Sequence, residues 1–203
     1  MTIYIATTNP GKLRDFRFAA EETGAAGIRI EPLPGVERFP APDETGDTFE
    51  ANARLKAVYY SRLAPGLWVL ADDSGLEVDA LEGRPGVRSA RYATDVGFDL
   101  SSGVDAANND AILLAMLEQT DRRAHYRCAL ALAMDGSVEQ VSFGKLEGQL
   151  QAEPGEPGGF GYDPLFFVPE LNCTMSEASP EDRLRVSHRG RALRALLRQW
   201  KPC

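Results

Sequence analysis

Apolar residues in this chain come in short runs that end on polar or glycine-containing punctuation. The spacing within each run predicts an element. Residues 3–6 are apolar and give way to Thr7-Thr8-Asn9-Pro10-Gly11-Lys12. Leu13, Phe16, Phe18, Ala19 and Ala20 then recur at helical intervals as far as Gly24. A strand, a polar turn and a helix in that order open an α/β fold. Residues 28–33 read as a second strand, ahead of a proline-punctuated stretch at 34–42. Asp47 or Thr48 can cap a helix that runs through Arg62. Leu67-Trp68-Val69-Leu70-Ala71 is uniformly apolar, as in a strand buried on both faces, and is expected to stop at Asp72-Asp73-Ser74-Gly75.

Residues 83–99 look like loop, and residues 104–117 like a helix. Residues 124–134 and 138–148 are two β-rich runs on either side of Asp135-Gly136, a strong short-range hairpin signal. A second glycine-rich loop follows at 155–163, then a short strand at 165–168. Residues 187–200 form a closing helix with Leu193, Leu196, Leu197 and Trp200 on one stripe. There is no internal repeat or linker. The expected architecture is a single mixed α/β domain over residues 1–203, with two lobes around a cleft.

Composition narrows the function. The 203 residues carry 22 Lys+Arg against 30 Asp+Glu, a formal net charge of −8. That balance excludes broad nucleic-acid binding, which needs basic stripes to neutralise phosphates. The longest apolar runs, at 111–117 and 128–134, are far short of the roughly 18 residues that span a bilayer. The amino-terminal residues lack the basic lead of a signal peptide. Cys128, Cys173 and Cys203 are odd in number and widely spaced, which fits reduced thiols and a cytoplasmic protein.

Four polar clusters lie at expected element ends, where open α/β sheets bind ligands. Residues 7–12 offer helix-start amides, hydroxyls and Lys12 as a phosphate cradle, though Leu13 follows the lysine and no Walker loop is present. Asp72 and Asp73 are adjacent carboxylates, hard oxygen donors that suit Mg²⁺. Glu44 precedes a helix on which Asn52 and Lys56, four residues apart, share a face. The loop at 157–164, Pro-Gly-Gly-Phe-Gly-Tyr-Asp-Pro, allows Phe160 or Tyr162 to stack on a flat base, with His188 and Arg189 downstream. Read singly, each cluster also has a structural reading: a capped turn, a tight turn, a solvated helix face and a core loop. His125 reads as a strand residue without a chemical role.

Together and in order, these segments resemble the inosine triphosphate pyrophosphatase family. The matching motifs are Thr8-Asn9-Pro10-Gly11-Lys12, Glu44-Thr45-Gly46, Asn52-Ala53-Arg54-Leu55-Lys56 and Asp72-Asp73-Ser74-Gly75-Leu76. Ser89-Ala90-Arg91-Tyr92, Gly159-Phe160-Gly161-Tyr162-Asp163-Pro164 and Ser187-His188-Arg189-Gly190 continue the match nearly to the end of the chain. The resemblance implies a two-lobed α/β fold with an elongated mixed sheet, and a homodimer. It implies Mg²⁺-dependent hydrolysis of ITP, dITP and XTP to the monophosphate and pyrophosphate. By the same resemblance Thr7, Thr8, Asn9, Pro10, Gly11, Lys12 and Lys56 meet the phosphates. Glu44 and Asp73 hold the metal, with Asp73 as general base and Ser74 beside the nucleotide. Phe160, Gly161, Tyr162, Asp163, His188 and Arg189 form the base pocket, and Arg183 stands where the family carries a lysine. Ala51 replaces the family's glutamate before Asn52, and Glu50 lies about 100° away around the helix. Arg88 replaces a common tyrosine. A nucleotide-binding regulator without catalysis and a hydrolase of other modified nucleotides are the alternative readings.

Overall fold

The computed structural model describes residues 1–24, 27–156 and 158–200. Pro157 of the glycine-rich loop and Cys203 lie outside the described residues. The chain runs β1 (Thr2–Ile5), α1 (Pro10–Glu22), β2 (Arg29–Pro32), α2 (Phe49–Leu63), β3 (Trp68–Val78), α3 (Tyr92–Asp95) and α4 (Val104–Ala115). It continues through β4 (Arg123–Met134), β5 (Ser137–Leu150), β6 (Phe166–Val168), β7 (Cys173–Thr174), α5 (Pro180–Val186) and α6 (His188–Gln199). The sheet order is β2-β1-β3-β4-β5-β6-β7. β1 is parallel to β2 and β3, whereas β5–β6 and β6–β7 are antiparallel, so the sheet is mixed. This is the expected α/β class. Among the described residues no helix is long and apolar enough to cross a membrane.

The chain divides into two compact units. The first comprises Met1–Ser74, Arg127–Lys145 and Leu184–Cys203, and the second Gly75–Tyr126 and Leu146–Arg183.

In the first unit, strand alternation sorts β4 into two packing faces. Cys128, Leu130 and Leu132 join Ile3, Ile5 and Leu70 under α1 and α6, which contribute Phe16, Ala19, Leu193 and Leu196, with Trp200 just past the end of α6. Ala129, Ala131 and Ala133 point the other way and meet Ala53 and Ala57 of α2, with Ala71 of β3. These alanines let α2 approach the sheet closely enough for short and long polar side chains on the same helix to reach β3. The Asp135-Gly136 turn joins β4 to β5, closing the expected hairpin with left-handed φ of 51° and 82°. It also holds the end of α2: Gly66 N–H donates to Asp135 Oδ1 at 2.8 Å, and Gly136 N–H to Ser61 Oγ at 3.0 Å.

The second unit is organised around Ser89 and α4. Ser89 Oγ accepts from Leu76 N–H at 2.8 Å and donates to the Gly86 carbonyl at 2.6 Å. A Cβ on Gly75 would fall 2.6 Å from that carbonyl, so this approach requires glycine. Tyr126 stacks on Phe166, with ring centroids 4.2 Å apart.

Two sequence expectations are corrected. β3 does not stop at Asp72 but continues to Val78, so both aspartates lie within an extended strand. Their burial is tolerated because each has cationic or amide partners, described below. Residues 83–99 are not wholly loop; they contain a 3₁₀ segment, Gly86–Arg91, and α3.

Candidate active site

Successive strand residues face opposite sides of a sheet, so Asp72 and Asp73 acquire different partners. Both are buried, at 4% and 7% exposure. Asp72 pairs with Lys12 Nζ at 2.8 Å, accepts from Ser74 Oγ at 3.1 Å and lies 3.9 Å from Arg189 Nε. Burial raises its carboxyl pKa, but Lys12, Lys56 and Arg189 outweigh burial and hold it well below the usual range. Asp72 is therefore a fixed negative charge. Asp73 accepts from Lys56 Nζ at 3.0 Å and from Asn52 Nδ2 at 3.1 Å. Here burial prevails over Lys56, and the carboxyl is pushed above its ordinary value. Two chemically identical neighbours thus differ in basicity, and Asp73 is the better proton acceptor.

α2 positions the groups around Asp73. Thr48 caps the helix, its hydroxyl accepting from Ala51 N–H at 3.1 Å. One turn apart, Asn52 and Lys56 then point to the same carboxylate. Lys56 Nζ also reaches Glu44 Oε1 at 2.7 Å, so one ammonium bridges two acids. Burial lowers the Lys56 pKa, but Asp72, Asp73 and Glu44 together raise it above the usual value and keep it charged. Asn52 Oδ1 accepts from Gly46 N–H at 2.8 Å while its amide donates to Asp73. A Cβ on Gly46 would stand 2.7 Å from both Ala51 Cβ and Asn52 Oδ1, so only glycine fits. Glu50 turns away into an exposed pair with Arg54 at 2.7 Å and does not replace the missing glutamate at position 51.

Glu44 and Asp73 gather oxygen donors around one cation, a donor set that fits Mg²⁺. Among the described residues no group of three or more His, Cys, Asp or Glu assembles a protein-only cage. Mg²⁺ commonly binds through one or two carboxylates, with waters and phosphates completing its shell.

The 7–12 turn is a well-capped helix start. Asn9 Oδ1 accepts from Gly11 N–H at 2.8 Å and Lys12 N–H at 3.2 Å, with Pro10 in the first turn. Thr7 Oγ1 accepts from Asn9 N–H at 3.2 Å, and Thr8 is exposed. Cap and cluster are one device here, because the cap sets the turn from which Lys12 reaches Asp72.

Arg189 is buried beside this cluster. Its Nη2 donates to Ser74 Oγ at 3.2 Å and its Nη1 pairs with Asp15 at 3.3 Å. Ser187 Oγ donates to Asp15 at 2.9 Å and accepts from Gly190 N–H at 3.3 Å, capping α6. Asp15 was not singled out in the sequence. Its signal was present, three residues after Lys12 and so on the same face of α1. Burial raises the Asp15 carboxyl pKa against the pull of Arg189. His188 is buried, and desolvation and Arg189 push its pKa well below the usual value, so its imidazole is neutral. The α6 start lies against Gly144 of β5, where a Cβ would collide with the His188 carbonyl.

The loop at 158–163 belongs to the second unit. Phe160 presents its ring at 41% exposure, whereas Tyr162 is buried and donates to the Ser89 carbonyl at 2.8 Å. Burial raises the Tyr162 phenol pKa and keeps it a donor. Asp163 accepts from Tyr126 Oη at 2.9 Å and from Phe160 N–H at 3.1 Å. Arg183, half-buried, lies on α5. Of the expected aromatics, then, Phe160 offers a face and Tyr162 anchors the loop. The sequence also passed over Asp105 and Asn109 of α4, which bond Gly161. An acid and an amide four residues apart on a helix with an apolar face were the available signal. His125 is a strand residue as expected, with its Nε2 2.9 Å from Asp79 Oδ1.

Comparison with known proteins gives this arrangement a family. The Ham1 family model matches residues 3–199. A relative from Acidobacterium capsulatum, named dITP/XTP pyrophosphatase, is 51% identical, with 97% of each chain covered. A solved HAM1 protein from Coxiella burnetii is similar at TM-score 0.80 and 35% identity, covering 95% of this chain and 94% of that one. A solved nucleoside-triphosphatase / dITP/XTP pyrophosphatase from Mycobacterium abscessus is 38% identical at TM-score 0.71, covering 95% and 96%. The chain belongs to the Ham1 family.

Proposed function

We propose that this chain hydrolyses deaminated purine nucleoside triphosphates, dITP, ITP and XTP, to the monophosphate and pyrophosphate. Relatives named for dITP and XTP support the substrate class. The observation that carries the chemistry is the division of the aspartate pair, Asp72 on Lys12 at 2.8 Å and Asp73 on Lys56 at 3.0 Å and Asn52 at 3.1 Å, with Lys56 bridging to Glu44.

In this reading a water attacks the α-phosphorus, and Asp73 takes its proton as the new P–O bond forms. The bond from the α-phosphorus to the bridging oxygen breaks, and pyrophosphate leaves with that oxygen and the electron pair. A positioned general base of this kind supplies about 10²–10⁴ in rate. Lys12 and Lys56 stabilise the charge that develops on the phosphate oxygens. Glu44 and Asp73 would hold Mg²⁺, which would supply charge neutralisation on the triphosphate. Ser74 and the 7–12 turn line the phosphate end in the first unit. Within the second unit Phe160 stacks on the base, carried on the loop that Gly161, Tyr162 and Asp163 shape.

Selectivity against adenine follows from the carbonyl at purine position 6; guanine shares that carbonyl, so its rejection rests on the 2-amino edge. A donor facing that carbonyl meets a donor instead when the base is adenine, and such mispairing costs factors of about 10⁴. A cytoplasmic location fits the free thiols of Cys128 and Cys173. A homodimer fits the exposed Val96, Leu100 and Val104, and sedimentation velocity tests it.

Hydrolysis of dITP in ¹⁸O-water tests the bond assignment. Attack at the α-phosphorus places the label in dIMP. Label in pyrophosphate contradicts the mechanism.

A further inference from the structure

α4 reaches out of its own packing layer through three polar side chains near its start. Asn108 is buried and accepts from Ala93 N–H at 2.8 Å, fixing the preceding segment. Asp105 and Asn109, one helical turn apart, both act on Gly161. Asp105 Oδ2 accepts from Gly161 N–H at 2.8 Å. Asn109 Nδ2 donates to the Gly161 carbonyl at 2.8 Å, and to the Asp105 carbonyl at 2.8 Å. A single glycine therefore has its donor and its acceptor held by one helix face, which fixes the peptide planes on both sides of it. Gly161 sits at φ +63° with open space where a Cβ would go, so this position needs glycine for its dihedral angle and not for room.

The residue before this clamp is Phe160. Its N–H is pinned by Asp163, the next N–H by Asp105, and its ring alone of the loop aromatics stands exposed. The partners are also specific in chemistry. An acceptor oxygen is needed at 105 because the bonded group is a donor, and an amide N–H at 109 because the bonded group is an acceptor.

We propose that Asp105 and Asn109 are positioning residues for base recognition, clamping Gly161 so that the Phe160 ring is held ready for a purine. This rests on the reading that Phe160 stacks on the base. Neither residue touches substrate. Their contribution is preorganisation of the loop, which removes an ordering cost from binding. The effect therefore falls on ligands that carry a base, and spares those that engage only the phosphate-binding residues.

Steady-state kinetics with dITP, and inhibition by dIMP and by pyrophosphate, test the proposal in wild type, Asp105→Ala, Asp105→Asn, Asn109→Leu and Phe160→Ala. Asp105 is exposed, so its variants keep the test open where Asn109→Leu does not fold. Asp105→Ala is expected to raise KM for dITP and the dIMP inhibition constant about fivefold, with kcat and the pyrophosphate constant within about twofold. Asp105→Asn, whose amide oxygen still accepts the Gly161 N–H, restores most of the loss. The proposal is overturned if Phe160→Ala raises KM while Asp105→Ala and Asn109→Leu do not, or if all constants move together. A flat response to Phe160→Ala removes the base-stacking reading itself and the positioning role with it.

Discussion

The first unit and the second hold their functional groups by opposite means. Around β3 of the first unit, charge is set against charge: Lys12 on Asp72, Lys56 between Glu44 and Asp73, Arg189 between Asp15 and Asp72. Around the 158–163 loop of the second unit, side chains tether backbone groups, among them Asn109 and Asp105 on Gly161, Asp163 on Phe160 and Tyr162 on Ser89. On the proposed function, the difference follows from what each would do. A triphosphate brings negative charge and needs cations that are neutralised until it arrives. A nucleobase is flat and uncharged, and needs a rigid face with few competing donors. Buried charge pairs are costly to break, since removing one partner leaves the other uncompensated. Substitutions in the first unit should therefore cost catalysis steeply, and those in the second should cost affinity modestly.

The largest expected effect is Asp73→Asn, which keeps shape but removes the proton acceptor. It should lower kcat for dITP by about 10²–10⁴, with the folded state retained by circular dichroism. A loss under tenfold would remove Asp73 from the role of base and blur the distinction between the units.

Gly46→Ala comes next. The added methyl meets Asn52 Oδ1 and Ala51 Cβ, displacing the amide that orients Asp73. A shift of about 1 Å at a reacting group costs up to about 10² in rate, and a kcat loss of about tenfold or more is expected. An unchanged kcat would show that Asn52 does not set the position of Asp73.

Phe160→Ala sharpens the comparison from the other side. Base–aromatic stacking is worth about 1–3 kcal/mol, so KM for dITP should rise at least about fivefold while kcat stays within about twofold. A kcat loss as large as that of Asp73→Asn would contradict the division of labour.

The smallest effect concerns His188. Its folded-state pKa lies well below the ordinary 6.5, so it is neutral when folded and charges on unfolding in acid. The stability it contributes is present above about pH 6.5 and is lost as pH falls toward the folded value, with a slope of at most about 1.4 kcal/mol per pH unit. Urea midpoints from pH 7.5 to 5.0 should fall in wild type and fall less in His188→Asn. Equal slopes would show that the imidazole is not held neutral.

Much of this was legible along the chain. The Asp135-Gly136 turn, the Thr48 and Ser187 caps and the α6 stripe are local signals, and local geometry obeys them. The extent of β3 was not legible. An aspartate pair reads as a strand end until Lys12, Lys56, Asn52 and Arg189, all remote in sequence, arrive to neutralise it. Asp15 and Asp105 were missed for the same reason, since each looks like a surface acid until its distant partner, Arg189 or Gly161, is in place. Phe160 and Tyr162 read alike along the chain and separate only by burial, at 41% and 4% exposure. Net charge of −8 argued against polymers of phosphate and left room for a single nucleotide, because the cations concentrate where the acids need them.

Initial rates of pyrophosphate release from dITP, XTP, dATP and dGTP at one subsaturating concentration with Mg²⁺ read substrate class and bond cleavage together. Values of kcat/KM for dITP and XTP at least about 10² above that for dATP are expected, with dGTP also slower. Equal turnover of all four, or release of single phosphate instead of pyrophosphate, would contradict the proposed function.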